Sequence, residues 1–215
     1  MPSNAVRLAA AAIAAALATT TAAPAQPPDG TYVYTIEHSA HGELGTATHR
    51  IARNGAETVV ETELRIAAKA LFVVVHRHEE SRREVWRDGQ LMSFEGRTND
   101  NGTLIELRGR RDGDRFLIDG PEGPAEAPPD IRTSNPWSID ITKAMLVMGT
   151  TSGDLRKIQV APVEEKIIEL GGRQVPTRYF RITGDMRREL WYRDDDVLVQ
   201  LAWPRDGDTI MFTLR

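Results

Sequence analysis

The chain has 215 residues, no cysteine, and 27 basic against 31 acidic side chains, which gives a formal net charge of −4. The lack of thiols excludes a disulfide-stapled domain and a cysteine-based metal or redox module. The acidic balance argues against a nucleic-acid partner, which would require concentrated basic charge. Hydrophobic residues make up 40% of the chain, which is typical of a globular protein with a core of its own.

Residues 1–25 have the layout of a secretory signal peptide. Arg7 supplies a positive charge, residues 8–18 form an apolar run, and residues 23–25 are the small-residue sequence Ala-Pro-Ala. The run is shorter than the roughly 20 residues of a transmembrane helix, and a lipoprotein anchor would need a cysteine. The alternative is an Ala-rich disordered tail. We expect cleavage after Ala25 and a mature protein in the periplasm or outside the cell, with no transmembrane anchor.

Residues 26–215 are predicted to form a single β-rich domain. Stretches of alternating apolar and polar residues recur between Asn-Gly and Asp-Gly pairs, which favour tight hairpin turns. One antiparallel meander is predicted over residues 30–120 and a second over residues 154–215. The predicted strands are 30–38, 44–53, 57–71, 72–86, 90–98, 103–111, 115–119, 155–162, 164–170, 174–183, 186–192, 197–203 and 209–214.

A Pro-rich loop and one helix are predicted between the meanders, over residues 121–149. Prolines at positions 121, 124, 128, 129 and 136 indicate a loop that does not pair in a sheet. Asn135 as N-cap, Pro136 at the first helical position and Gly149 after the last turn favour a helix. The expected fold class is therefore mainly β: an open, curved antiparallel sheet or incomplete β-barrel with one helix against its concave face.

The apolar stripe of this helix supplies the candidate ligand-binding residues. One interpretation is that the stripe fills the core. The other is that it forms a lid over an acyl-sized cavity, since methionine side chains adapt to varied apolar partners. The candidate cavity and lid residues are Trp137, Ile141, Met145 and Met148, together with Trp86 and Trp191.

Motifs for catalysis and metal binding are missing or incomplete. The sequence has no Gly-x-Ser-x-Gly, no His-Glu-x-x-His and no Gly-rich phosphate loop. His76 and His78 are two residues apart on a predicted strand and share a face, but a third metal ligand would have to come from another strand. We therefore predict no catalytic residue, no metal site and no cofactor.

The chain resembles an uncharacterised family of secreted bacterial proteins, classed as a domain of unknown function. The residues that carry the resemblance are Trp86, Leu91, Thr98-Asn99-Asp100-Asn101-Gly102, Ser134, Trp137, Ile182-Thr183-Gly184, Glu189-Leu190-Trp191-Tyr192, Leu198-Val199, Asp206-Gly207 and Ile210. The chain departs from the family's pattern at Arg193 and in the basic strand over residues 76–83. The layout is also similar to that of periplasmic lipoprotein-carrier proteins, a similarity that implies an open curved sheet around an acyl-chain site.

The favoured function is non-catalytic binding of a lipid or another apolar molecule in the cell envelope. One alternative is a structural or interaction module with a filled core, which meets an envelope protein partner. The other is an enzyme whose residues are scattered over several strands. An open apolar cavity would favour the lipid-binding hypothesis. A filled interior would favour the interaction module, and a cleft with convergent His and Glu side chains would favour the enzyme.

The signal-peptide hypothesis predicts that the exported protein begins at Gln26. N-terminal sequencing of the protein recovered from the periplasm or the medium tests this. An intact Met1 on protein found only in the cytoplasm would contradict it.

Overall fold

The computed structural model describes residues 26–70, 73–205 and 207–215. The predicted signal peptide, residues 71 and 72, at which two of the predicted strands meet, and residue 206 lie outside these ranges. Within them the chain forms 16 strands: β1 (Gly30–His38), β2 (Gly42–Asn54), β3 (Glu57–Ala70), β4 (Val73–Arg87), β5 (Gln90–Asp100), β6 (Thr103–Asp112), β7 (Arg115–Gly120), β8 (Gly123–Ala127), β9 (Arg132–Thr133), β10 (Leu146–Met148), β11 (Leu155–Val160), β12 (Glu164–Leu170), β13 (Arg173–Gly184), β14 (Arg188–Tyr192), β15 (Leu198–Arg205) and β16 (Asp208–Leu214). In this described part, no helix is long and apolar enough to cross a membrane.

The strands form one open, curved sheet, so the predicted mainly β architecture is confirmed. Antiparallel hairpins connect β1 through β8 in sequence order on one side, and β13 through β16 on the other. The two halves join where β1 pairs with β16, with Tyr34 opposite Leu214. Beyond β13 the order continues through β11, β10 and β9, and β12 pairs separately with β13.

Tight turns between the strands follow from the turn residues. Asp88 and Gly89 have φ angles of 50° and 73°, and Asn101 and Gly102 have φ angles of 52° and 97°. Asn, Asp and Gly tolerate this left-handed region better than other residues. The Asn-Gly and Asp-Gly pairs therefore set the register of the long hairpins.

The helix predicted over residues 135–149 is wrong. Ser138 caps only a short 3-10 helix, Ile139–Lys143, and Ala144 after it is extended with ψ 146°. The chain then enters β10, which pairs antiparallel with β11 and parallel with β9. A short apolar run fits a helix and a buried strand equally well by periodicity, and here strand pairing determines the outcome.

Part of the Pro-rich segment also pairs, contrary to the prediction of an unpaired loop. β8 lies beside β7, with Pro124 opposite Asp119. Because β8 stands at the end of the strand order, only one of its two edges needs to pair. An edge strand can therefore accommodate a proline that lacks a backbone N–H.

Residues 128–154, here called the plug, carry β9 and β10 at the end of the strand order and pack against residues of both sheet halves. Ile139, Ile141 and Val147 pack in one buried cluster with residues of both sheet halves, such as Tyr34 and Leu190. A second cluster holds Trp137 and Met148 with Phe94, Leu107 and Phe116 of the first half. Apolar burial of this extent is the main favourable contribution to folding. The plug therefore provides much of the core.

A buried carboxylate on β4 holds the plug in register. Glu84 Oε1 accepts a hydrogen bond from Asn135 Nδ2 at 2.8 Å, and its Oε2 accepts one from Thr133 Oγ1 at 3.0 Å and one from Trp86 Nε1 at 3.1 Å. Burial raises the pKa of Glu84, while these donors and the Arg82 charge act in the opposite direction. The second half of the sheet also contacts the plug, since the Tyr192 hydroxyl at the end of β14 donates to the Pro136 carbonyl at 2.8 Å.

Glu84→Ala should lower the free energy of unfolding by about 3–5 kcal/mol, because it leaves three buried donors without an acceptor and removes one of the two carboxylates beside Arg82. Urea unfolding followed by tryptophan fluorescence measures the loss. Glu95→Ala on β5 is the matched control, since Glu95 is exposed and its removal should change stability by less than about 0.5 kcal/mol. Equal effects of the two variants would contradict the anchoring role of Glu84.

Candidate ligand-binding cavity

A cavity of about 370 Å³ lies between the plug and the concave face of the sheet. This volume is within the range of roughly 300–1,000 Å³ found for small-molecule sites. The lining residues come from both halves of the sheet and from the plug: Tyr34, Leu44, Ala47, His49, Thr62, Leu64, Ile66, Ala68, His76, His78, Glu80, Arg82, Ser134, Asn135, Pro136, Thr150, Thr151, Arg188, Leu198, Leu201, Trp203, Ile210 and Phe212.

Much of the wall is apolar. Its aliphatic and aromatic side chains come from both halves of the sheet, on strands that flank β1 in the strand order. These side chains are Leu44, Leu64 and Ile66 on β2 and β3, and Leu198, Leu201, Ile210 and Phe212 on β15 and β16. Such a wall suits a hydrocarbon chain, which gains free energy in proportion to the apolar area removed from water.

One strand supplies a row of ionisable side chains to the same cavity. On β4, every second residue from His76 to Arg82 lines it. The row is His76, His78, Glu80 and Arg82, and Glu84 continues it beneath the plug. The cavity therefore has a charged side as well as an apolar wall.

Arg82 and Glu80 form a buried ion pair on this row. Their side chains are 12% and 6% exposed, and an Arg82 terminal nitrogen contacts Glu80 Oε2. Arg82 Nε is buried and donates to no protein acceptor. Burial lowers the pKa of Arg82 to about 10, opposed by the nearby Glu84 charge. Arg82 is therefore a cation at neutral pH with one donor left to satisfy.

Arg188 of β14 is a second cation on the wall. Its guanidinium lies 4.1 Å from the ring centre of Trp203, and Nη1 donates to the Arg187 carbonyl at 2.7 Å. Burial lowers the pKa of Arg188 to about 10, and the positive charge of Arg156 adds to this. Among the residues that the structure describes, no carboxylate forms an ion pair with Arg188. This half-buried charge can therefore receive an anion.

His49 of β2 lines the cavity as a neutral imidazole. Its ring centre lies 5.3 Å from that of Tyr34, and its side chain is buried. Burial lowers the pKa of His49 to about 4, and the positive charge of Arg82 contributes. Protonating this histidine would place an unpaired charge inside the sheet.

At the end of the β4 row, two histidines converge on one carboxylate. Asp100 Oδ1 lies 3.1 Å from His76 Nε2 and 3.1 Å from His78 Nδ1. Asp100 comes from β5, where the register places it directly opposite His78. The third ligand that sequence reasoning could not locate therefore comes from the neighbouring strand. The available signal was the Asp88-Gly89 turn, which connects β4 to β5.

The six candidate residues from the sequence do not line the cavity. Trp86 and Trp137 pack together with ring centres 5.8 Å apart, and Met148 and Ile141 are buried in the plug's core clusters. Trp191 packs on Tyr179 in a third cluster, with ring centres 5.0 Å apart. Met145 is 82% exposed, because the extended backbone at Ala144 breaks the helical spacing that placed Met145 in the stripe.

His49 should make the fold less stable in acid. Its folded pKa of about 4 lies below the unfolded value of about 6.5, so between these two pH values the unfolded chain takes up a proton that the native state does not. The stability is present above pH 6.5 and lost as the pH falls towards 4, by up to about 3 kcal/mol. Urea unfolding at steps from pH 7.5 to 4 should show this loss in the native protein.

The His49→Gln variant should lose less stability over this pH range, since it has no imidazole to protonate. His41→Gln is the control, because His41 is exposed. The stability of this variant should depend on pH in the same way as that of the native protein. Parallel curves for the native protein and His49→Gln would show that His49 is not the group responsible.

Comparison with known proteins identifies a family and a fold. A beta-barrel-like protein of domain of unknown function DUF1849 from Brucella abortus is similar in crystal structure, with a TM-score of 0.61 at 7% identity over 89% of this chain and 97% of that one. That likeness shows the fold. No curated protein matches the sequence. The resemblance to a domain of unknown function is confirmed: because the DUF6134 family model matches residues 34–215, this chain belongs to the DUF6134 family, a domain of unknown function.

Proposed function

We propose that this protein is a non-catalytic binder of an amphipathic molecule with a hydrocarbon chain and an anionic end. The observation that carries the proposal is the cavity of about 370 Å³ that combines an apolar wall with two arginines. The beta-barrel-like fold of the Brucella protein supports an architecture that can enclose a ligand. The class of ligand is inferred from the residues of the cavity alone. A fatty acid is the simplest molecule of this class.

The hydrocarbon part would lie along Leu64, Leu201 and Phe212, which face the cavity from both halves of the sheet. Removing a chain from water against such a wall contributes roughly 0.8 kcal/mol per buried methylene group. No directional contacts are needed for this part of the ligand. The wall therefore selects for an apolar chain and not for a particular molecule.

The anionic end would be recognised by Arg188 and assisted by Arg82. Arg188 lacks a carboxylate partner among the described residues, and Arg82 Nε is a buried donor with no protein acceptor. A hydrogen bond to a charged group contributes roughly 1.5–3 kcal/mol. A planar guanidinium can also donate two parallel hydrogen bonds to one carboxylate, which fixes the orientation of the ligand. Glu80 is an acidic side chain of the cavity lining, and it is already paired with Arg82.

Of the alternatives, the interaction module is less favoured because the interior is not filled. Leu44, Ile66 and Ile210 are only partly buried where they pack on the core, and each of them also lines the cavity. The proposed setting is the cell envelope, on the basis of the signal-peptide pattern in residues 1–25. Lipids and fatty acids are available there.

A competition experiment tests the proposal. The purified protein is titrated with a fluorescent fatty acid, which is then displaced with dodecanoic acid or dodecanol, in the presence of a metal chelator. Saturable binding is expected, with the acid displacing the probe at least about tenfold more effectively than the alcohol, because only the acid forms a charge-assisted bond. In Arg188→Gln this preference should disappear.

Arg187→Gln is the matched control, since it removes the same charge one residue away from an exposed position and should keep the preference. Ala47→Leu fills the cavity from a small buried residue on its wall and should weaken binding of both competitors with little loss of stability. Absence of saturable binding, together with a loss of about 1–3 kcal/mol in Ala47→Leu from overpacking, would favour a filled module.

A further inference from the structure

The cluster of His76, His78 and Asp100 has the composition of a transition-metal site. One ligand atom from each residue lies within 4.8 Å of the other two. Two imidazoles and a carboxylate are donors that zinc and other first-row divalent ions accept, and three protein ligands leave one coordination position for water or another ligand. His76 and His78 also line the cavity.

Two of the three donor distances in the cluster match a tetrahedral ion. Donor atoms bonded at about 2.0–2.1 Å to tetrahedral zinc lie about 3.3 Å from each other. Asp100 Oδ1 is 3.1 Å from His76 Nε2 and 3.1 Å from His78 Nδ1. The ligand nitrogens of the two histidines lie within 4.8 Å of each other and the ring centres are 6.5 Å apart, so the imidazoles would have to turn towards each other to share one ion. The strands already hold the three backbones in place, because His78 pairs directly with Asp100.

The hydrogen bonds of His78 provide an independent argument. Its Nε2 lies 2.6 Å from Glu80 Oε1 and its Nδ1 lies 3.1 Å from Asp100 Oδ1. A neutral imidazole has one N–H, so it can satisfy only one of these two carboxylate oxygens. The second contact is favourable only with an imidazolium or with a cation between the ring nitrogen and the oxygen.

Glu80 completes the arrangement as the partner that orients a ligand histidine. With Nε2–H donated to Glu80, the lone pair of Nδ1 points to Asp100 and is available for a metal ion. Glu80 is itself held by the contact with Arg82 and by Thr151 Oγ1 at 3.4 Å. Ligand histidines in metalloproteins commonly donate their other N–H to such a carboxylate, which fixes the tautomer.

We infer that His76, His78 and Asp100 bind a divalent transition-metal ion, with zinc as the best fit, at the edge of the cavity, and that Glu80 is the positioning residue for His78. Backbone hydrogen bonds along the whole of β4 and β5 hold the strands that carry the ligands, and His76 and Asp100 are 47% and 44% exposed. The ion is therefore bound by the folded protein and is not required for folding. This inference is independent of the proposed ligand.

Calorimetric titration of untagged, EDTA-treated protein with Zn²⁺ tests the inference, since a histidine tag would bind the metal itself. One saturable site per chain is expected. Titration with Co²⁺ should give the visible absorption band of a tetrahedral ion with nitrogen and oxygen ligands. The double variant His76→Gln/His78→Gln and the single variant Asp100→Asn should each lose the band and the site.

The double variant His38→Gln/His41→Gln is the matched control. These two histidines also lie close together, with ring centres 4.6 Å apart, but they belong to no three-residue metal cluster among the described residues. The control should bind like the native protein. Glu80→Gln should weaken Zn²⁺ binding by about 10–100-fold and alter the Co²⁺ band, a change that loss of stability alone would not produce.

Two results would overturn the inference. One is the absence of saturable Zn²⁺ binding by the native protein. The other is equal loss of binding in the His76/His78 and His38/His41 variants, which would indicate surface histidines of no defined site. If the His76/His78 double variant does not fold, Asp100→Asn decides alone, because it removes an exposed carboxylate oxygen and little packing.

Discussion

The buried carboxylate of Glu84 is the constraint on which the interior of this molecule depends. An open sheet of this size has a concave face that water would fill, and the plug covers only part of it. Glu84 binds the plug through Asn135 and Thr133, at a point where three donors compensate for the cost of removing the charge from water. Because the plug is fixed there, the concave face beyond it stays open, and that remaining space is the cavity.

The same strand that carries Glu84 determines the chemistry of the cavity. From the plug outward, β4 presents Glu84, Arg82, Glu80, His78 and His76 in turn on one face. Each charge is balanced by the next, since Arg82 lies between two carboxylates and Glu80 lies between Arg82 and His78. A row of this kind inside an otherwise apolar sheet costs stability relative to hydrophobic residues. Its position beside an apolar wall is therefore better explained by binding than by folding.

The sequence was sufficient to predict the strands and much of the topology, because alternation and Asn-Gly or Asp-Gly turns are local signals. It failed between residues 121 and 149, where the pairing of β8, β9 and β10 depends on neighbours distant in sequence. The six candidate site residues lie outside the lining of the cavity for the same reason. Met145 belonged to a stripe only if the backbone was helical. The wall residue Arg188 has no local feature that distinguishes it from Arg187 next to it, and Asp100 joins His76 and His78 only through the register of β4 with β5.

Glu80 is the residue at which the two proposals meet. Its Oε1 lies 2.6 Å from His78 Nε2 and its Oε2 contacts Arg82, so it borders both the proposed metal cluster and the proposed anion-binding side of the cavity. A metal ion on Nδ1 of His78 would strengthen the donation from Nε2 to Glu80, because coordination withdraws electron density from the ring. A ligand carboxylate on Arg82 would weaken the hold of Arg82 on Glu80. The two proposed sites therefore share one carboxylate, that of Glu80.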